Sequence, residues 1–322
     1  MNYLFFSLCS IFFFYPFFLQ SVFYEESALF SGEYSENYII RWAFQKLCDF
    51  SFGPRRDPFS WPTHSQGVSF DPRKVKGGEL VFVRDVERFF KTVYRRINHP
   101  FIMVTAGEAR DKVQKNQIAY LDDKKIIAWF SVHACEYAHP KFCPIPLGIF
   151  QEKKYYHHRK NLTHYFSSLR QIPKEKLLYM NFGDVKGKKA ERAEVGKIFS
   201  AVEYCFKAEK RLPFLEYMQQ MSECKFTLSP PGYGPDCYRT WEALLVGSIP
   251  IVKTSHLDRL FKDLPVLIID RWDEITEDFL ESAYKRFSVK KHAIKRLFIE
   301  YWAQKIEKRR RSFLLASGGK GL

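Results

Sequence analysis

Cys224-Lys-Phe-Thr-Leu-Ser-Pro-Pro-Gly-Tyr-Gly-Pro-Asp-Cys-Tyr-Arg-Thr-Trp-Glu-Ala-Leu-Leu-Val-Gly-Ser-Ile-Pro-Ile-Val252 reads as a strand, a glycine/proline loop, a helix and a second buried strand. The loop would lie at the carboxyl end of one strand and the amino end of the helix. In open α/β sheets ligands sit at that place, and a helix amino terminus favours an anion such as a phosphate. Gly232 and Gly234 let backbone approach a ligand closely, and Asp236 is placed to cap the helix. Arg239 and Glu242 lie three apart, so both project from one face of its first turns. A guanidinium grips phosphate oxygens as a planar fork, and a carboxylate accepts from two neighbouring hydroxyls, as on a ribose. Spacing alone leaves a plainer reading open: a turn that needs glycine and proline, followed by a solvated Arg/Glu surface pair.

Residues 231–252 resemble the carboxyl-terminal signature of exostosin-like glycosyltransferases, glycosyltransferase family 47. That signature has a Pro/Gly loop, an arginine, a Glu-Ala-Leu run and then Gly-x-Ile-Pro-Ile/Val. The resemblance implies a GT-B fold, an α/β architecture of two Rossmann-like domains facing a cleft, with a nucleotide-sugar bound at this loop. It implies that Arg239 contacts the diphosphate and Glu242 the ribose, with Pro231, Gly232, Gly234 and Asp236 in the donor loop. Pro230-Pro231 stands where many exostosin sequences carry Pro-Arg, so another basic residue is expected to supply that phosphate contact. Related sugar transferases also bring an Asn-x-Gly strand end and a nearby arginine to the donor phosphates. Here Met180-Asn-Phe-Gly-Asp184 and Glu191-Arg192 fit, which assigns Asn181, Gly183 and Arg192 to that role. A turn with a surface arginine is the alternative.

On either side of the signature, strands and helices alternate. Upstream in the second half, Leu177–Gly183 and Glu203–Lys207 read as strands, Lys188–Phe199 and Pro213–Ser222 as helices; downstream, Leu264–Asp270 is a strand and Ile275–Phe287 a helix. In the first half, Glu79–Asp85, Phe101–Gly107 and Lys125–His133 read as strands and Val86–Ile97 as a helix. Phe142–Phe150 is an extended run broken by prolines. Continuous rather than alternating apolar strands point to sheets covered on both faces. The polar stretch 151–176 reads as the crossover, and the proline-rich stretch 51–67 as a structured loop. Four regions result: a signal-anchor or signal-like segment at 1–25, an acceptor-side domain at 26–165, a donor-binding domain at 166–290, and a basic amphipathic helix and tail at 291–322. That last helix, over Lys290–Arg311, carries Ile294, Leu297, Phe298, Tyr301, Trp302 and Ile306 on one stripe. It either packs back on the first half or binds a membrane surface.

In the first half Glu108 follows a strand end and suits a general base toward an acceptor hydroxyl; His133 is the second candidate. Either is also a plausible capping or satisfied buried group. No Asp-x-Asp ends a strand with hydrophobic flanks, since Asp122-Asp123 sits beside Lys124-Lys125 in a turn, so no metal and no cofactor is expected. Basic side chains and a helix dipole would then stabilise the leaving diphosphate.

At 322 residues, 46% hydrophobic and 27% charged, the chain is of globular composition with room for two domains. A net charge of +15 implies anionic partners: a nucleotide diphosphate, an acidic glycan or an anionic membrane surface. Nucleic acid is not expected, for no recognition helix, zinc spacing or RNA-binding signature is present. The seven cysteines are scattered with no Cys-x-x-Cys, although Cys135 and Cys143 permit a bridge. The first 24 residues are apolar and uncharged, interrupted by Pro16, and the first basic side chain is Arg41. A signal-anchor, hence membrane or secretory localisation, is expected, and the sequon Asn161-Leu-Thr163 matters in that setting. The expected function is metal-independent transfer of a sugar from a nucleotide-sugar to a glycan, lipid or protein. The rival is a non-catalytic carbohydrate- or membrane-binding protein on the same fold.

Overall fold

The computed structural model describes residues 38–40, 43–53, 70–106, 113–132, 136, 138–150, 159–183, 190–208, 212–232, 234–289, 292 and 294–318. The amino-terminal segment, Glu108, His133, Cys135 and Tyr233 lie outside them.

The chain builds two five-stranded sheets. The first holds β1 (Phe50–Phe52), β2 (Leu80–Val83), β3 (Phe101–Thr105), β4 (Ile126–Ser131) and β5 (Phe142–Pro144), in that spatial order and all parallel. β2 and β3 are buried at every position, as parallel strands covered on both faces must be. Between them runs helix α2 (Val86–Thr92), begun by Asp85, whose carboxylate accepts from Arg88 N at 3.0 Å. The short helix α1 (Ala43–Lys46) precedes β1. β1 falls partly in the stretch expected to be loop, because its three residues are too few to register as a pattern.

The second sheet holds β6 (Lys176–Met180), β7 (Cys205–Lys207), β8 (Cys224–Leu228), β9 (Ile249–Lys253) and β10 (Leu267–Ile269), ordered β10-β9-β8-β6-β7. All its pairings are parallel. From β6 the chain goes outward to β7 and then returns to place β8 on the other side. The connections therefore reverse direction between β6 and β8, and a reversal of this kind opens a crevice at the strands' carboxyl ends. The first sheet has no such reversal.

Helices α3 (Arg159–Arg170), α4 (Ala190–Phe199), α5 (Phe214–Ser222), α6 (Tyr238–Leu245) and α7 (Glu277–Ser288) accompany the second sheet. α3 fills part of the stretch expected to be a plain crossover. It runs across the expected domain boundary at 165/166 and packs on α5, with Tyr165 Oη donating to Leu215 O at 2.8 Å. The sequon falls in this helix with Thr163 buried. Helix α8 (Ile299–Ala316) begins later and ends later than the 290–311 expected, because residues 294–297 form a 3-10 turn first. It returns to the first sheet, packs on β4, and buries Trp302 and Ile306; Ile294, Leu297 and Phe298 are buried ahead of it. Among the described residues no helix is long and apolar enough to cross a membrane.

The two halves are tied where the chain leaves β5. Ile40 bridges Ile149, Tyr38 bridges Phe298, and Ile39 N donates to Leu297 O at 3.1 Å. Residues 38–40 thus lie between the segment after β5 and the approach to α8. The described cysteines, Cys48, Cys143, Cys205, Cys224 and Cys237, all carry free thiols.

Candidate functional site

The loop after β8 is braced before it meets any ligand. Ser229 Oγ shares a 2.8 Å hydrogen bond with Thr240 Oγ1 of the first turn of α6, and Gly232 N donates to Gly234 O at 3.1 Å. On the neighbouring strand, residues 181–183 leave the carboxyl end of β6. Two arginines join these edges. Arg192 of α4 donates from Nε to Pro231 O and from Nη1 to Gly183 O, both at 2.9 Å. Arg239 of α6 donates from Nε to Asn181 O at 3.1 Å. Both guanidiniums flank the Phe182 ring, at 5.9 Å for Arg192 and 5.2 Å for Arg239. A methyl group on Gly232 would stand 2.8 Å from Arg192 Nη2, so the guanidinium would have to shift to admit one.

Arg239 is not the solvated surface residue of the plainer reading. It is 9% exposed, and its Nη1 is buried with no hydrogen-bond partner among the described residues. A buried donor left unmade costs about 1–3 kcal/mol, so this nitrogen favours any acceptor that reaches it. The two phenols beside it add no negative charge. Burial pushes Tyr179 up to about 12 and Tyr217 well above the ordinary phenol range, so both stay neutral. Burial likewise raises the Cys237 thiol.

Asp236 does not cap α6. Cys237 occupies the cap position without a side-chain bond, while Asp236 Oδ1 accepts from Trp241 Nε1 at 2.8 Å and Oδ2 from Leu147 N at 2.7 Å. Glu242, 4% exposed, accepts from Phe150 N at 3.0 Å and from Tyr217 Oη at 2.9 Å. Both carboxylates of the loop-helix segment therefore hold the linker that leaves β5. Their linker partners are 89 and 92 residues away in sequence, which is why local spacing pointed elsewhere. Asn181 Nδ2 turns inward to Tyr179 Oη at 2.9 Å and presents its carbonyl to Arg239.

Burial raises Glu242 from 4.5 to about 7 and Asp236 from 3.8 to about 6, against the opposing pull of their donors. The folded chain keeps protons that the unfolded chain gives up over this range. The stability each group contributes is complete below its unfolded value and is lost as pH climbs through the folded one. Glu242→Gln should therefore flatten the decline in stability between pH 4.5 and about 7, as read from denaturant midpoints. Glu242→Ala should instead lower stability at every pH, by about 1–3 kcal/mol for each of the two donors left unpaired. A wild-type pH profile in Glu242→Gln would show that Glu242 is not the titrating group.

At the carboxyl ends of the first sheet, Trp129 Nε1 donates to Thr105 Oγ1 at 3.0 Å, and Ser131 Oγ is buried without a partner among the described residues. Among the described residues no group of three His, Cys, Asp or Glu side chains is arranged to hold a metal. The structure thus gathers Asn181, Gly183, Arg192, Pro231, Gly232 and Arg239 about Phe182, and sets Asp236 and Glu242 against the linker. Sequence reasoning did not single out Phe182 or Tyr217. Phe182 lay inside the Asn-Phe-Gly motif, whereas Tyr217 gave no signal beyond an ordinary helical aromatic.

Residues 157–316 match the family model of the RXYLT1 C-terminal domain, a span that includes all of β6–β10 and α8. That match supports a glycosyltransferase. No curated protein matches the chain. Among solved structures, the N-terminal domain of Candida albicans trehalose-6-phosphate phosphatase is similar at a TM-score of 0.37 and 8% identity, over 74% of this chain and 71% of that one. The GtfA/B complex is similar at a TM-score of 0.29 and 10% identity, over 74% of this chain and 55% of that one. Likeness at this level carries no argument about activity.

Proposed function

We propose that this chain is an exostosin-like, GT-B-type glycosyltransferase whose second half binds a nucleotide-sugar between β6 and β8 and whose first half receives a glycan or glycolipid acceptor. The observation that carries the reading is the pair of guanidiniums flanking Phe182 at the strand reversal, with Arg239 Nη1 buried and without a hydrogen-bond partner among the described residues. Two cations at one crevice suit a diphosphate, which offers several oxygens to forked donors. Arg192 stands at Pro231, so it supplies the basic group that the Pro-Pro variation removed. Glu242 is oriented by Phe150 and Tyr217 and keeps lone pairs for ribose hydroxyls, since a carboxylate accepts at about four sites. Calorimetric titration with nucleoside diphosphates tests the reading: no binding of any of them would reject it.

In this mechanism the arginines hold the departing diphosphate as charge develops on it, by fixed donors rather than by reorganising water. The acceptor hydroxyl gives its proton to Glu108, with His133 as the next candidate, as these residues follow the carboxyl ends of β3 and β4 in sequence. Transfer is expected to persist in excess EDTA; abolition by EDTA and restoration by manganese would overturn the metal-free route. Glu108→Gln is expected to lose turnover and keep nucleotide affinity, because the base acts on the acceptor. Full turnover in that variant would move the role to His133.

A further inference from the structure

We propose that the amino-terminal edge of the first sheet, together with the tip of α8, docks on an anionic lipid bilayer. All strands of this sheet run the same way, so the segments preceding them gather on one edge. Lys74 and Lys76 lead into β2, and Arg95 and Arg96 lead toward β3; all four are exposed, and the two 3-10 turns carrying Lys74 and the arginines are in contact. The last turns of α8 reach the same edge. Leu314 Cδ2 lies 3.4 Å from where a methyl on Gly78 would stand, and Arg310 Nη1 is 3.6 Å from Asp49 Oδ2. Lys308 and Arg309 are exposed beside them.

The nearby carboxylates do little to neutralise this edge. Asp71 is paired with Arg73, Asp49 with Arg310, and Glu79 accepts from the backbone of Lys76 and Gly77. Asp122 is an exposed acid at the same edge, 3.5 Å from His139 Nε2. A surplus of cations alone suits any polyanion. Apolar side chains at the centre of the patch favour a bilayer over a glycan or nucleic acid: Leu315 is 80% exposed and Leu314 stands beside it at 36%. Each basic side chain near an anionic membrane adds to binding, and leucines enter the headgroup boundary.

The course of the chain agrees. α8 has 18 residues, so it spans about 27 Å from the Tyr38–Phe298 bridge to its tip. The 13 residues from 25 to 37 separate the apolar residues 1–24 from Tyr38, and extended they reach about 43 Å. The apolar segment can therefore enter the same bilayer that the basic edge touches. The second half joins at the opposite edge of the sheet, through the segment leaving β5.

The test uses the full chain with a photo-crosslinking residue, Leu315→p-benzoylphenylalanine, irradiated with vesicles and read by mass spectrometry for lipid adducts. With vesicles of about one-third phosphatidylserine, adducts are expected at least about tenfold above those with phosphatidylcholine alone. Adding Lys308→Glu and Arg309→Glu, both on exposed positions, is expected to remove that excess while the apolar first segment still carries the chain to vesicles. Equal adducts in both lipids, or an excess that survives the charge reversal, overturns the proposal. So does binding of a heparin oligosaccharide at the same salt without any lipid adduct, which would make the edge a glycan surface.

Discussion

Arg239→Ala is expected to weaken nucleoside diphosphate binding by roughly tenfold to a hundredfold, equivalent to about 1.5–3 kcal/mol for a charge-assisted contact. The fold should survive. The substitution loses the bond from Nε to Asn181 O but also removes a buried Nη1 that has no partner among the described residues, so two costs of similar size oppose. Arg239→Lys should recover little of the affinity, because an ammonium cannot both hold the Asn181 carbonyl and present a second donor in the plane of the first. Arg192→Ala should also weaken binding, and in addition loosen the loop at Pro231 and Gly183 that it now spans. Arg271→Ala serves as the control, for that arginine is exposed and paired with its neighbour Asp273. Calorimetry on the four variants decides the matter: unchanged affinity in both Arg239→Ala and Arg192→Ala would remove the crevice from the proposal.

Much of the second half was legible because its strands are continuous apolar runs. The expected strand Leu177–Gly183 overlaps β6 from Leu177 to Met180, and the quoted loop sits where a strand end meets a helix start. The reversal between β6 and β8 was not legible, since strand order depends on long-range pairing that no local pattern encodes. Asp236 shows the same limit at one residue. An aspartate ahead of a helix is a capping signal, yet Leu147 N and Trp241 Nε1 outcompete the helix end for its oxygens. The expected Arg239–Glu242 pair shares a helix face, as spacing requires, but that face is buried against β6, the linker and α5, so the two side chains part to separate partners. Gly148 was passed over for a related reason. In Cys143-Pro-Ile-Pro-Leu-Gly148 the prolines dominate the pattern, while the glycine's need arises from residues 38–40, more than a hundred positions earlier.

Gly148→Ala is therefore expected to be among the most damaging single methyl additions to this chain. Gly148 has φ +79, and an added Cβ would lie 2.0 Å from Ile39 O and 2.5 Å from Ile39 C. Left-handed backbone alone costs an alanine about 1–2 kcal/mol. The overlap is with main chain, which no rotamer change relieves. Ile39 is fixed on both sides, accepting from Ile149 N at 2.9 Å and donating to Leu297 O. To make room, residues 38–40 must leave, exposing Tyr38, Ile39 and Ile40, or the linker must move and take Leu147 N and Phe150 N from Asp236 and Glu242. Each buried group then unpaired costs about 1–3 kcal/mol, so a total loss on the order of 4 kcal/mol or more follows. Gly77→Ala separates the two causes, because Gly77 has φ +143 with nothing within 4 Å of the added carbon. It should show the conformational cost without the displacement. If denaturant unfolding finds Gly148→Ala no worse than Gly77→Ala, residues 38–40 do not hold the two halves together. If Gly148→Ala is the worse but nucleotide affinity in the surviving folded fraction is unchanged, the linker holds the lobes without setting the donor loop.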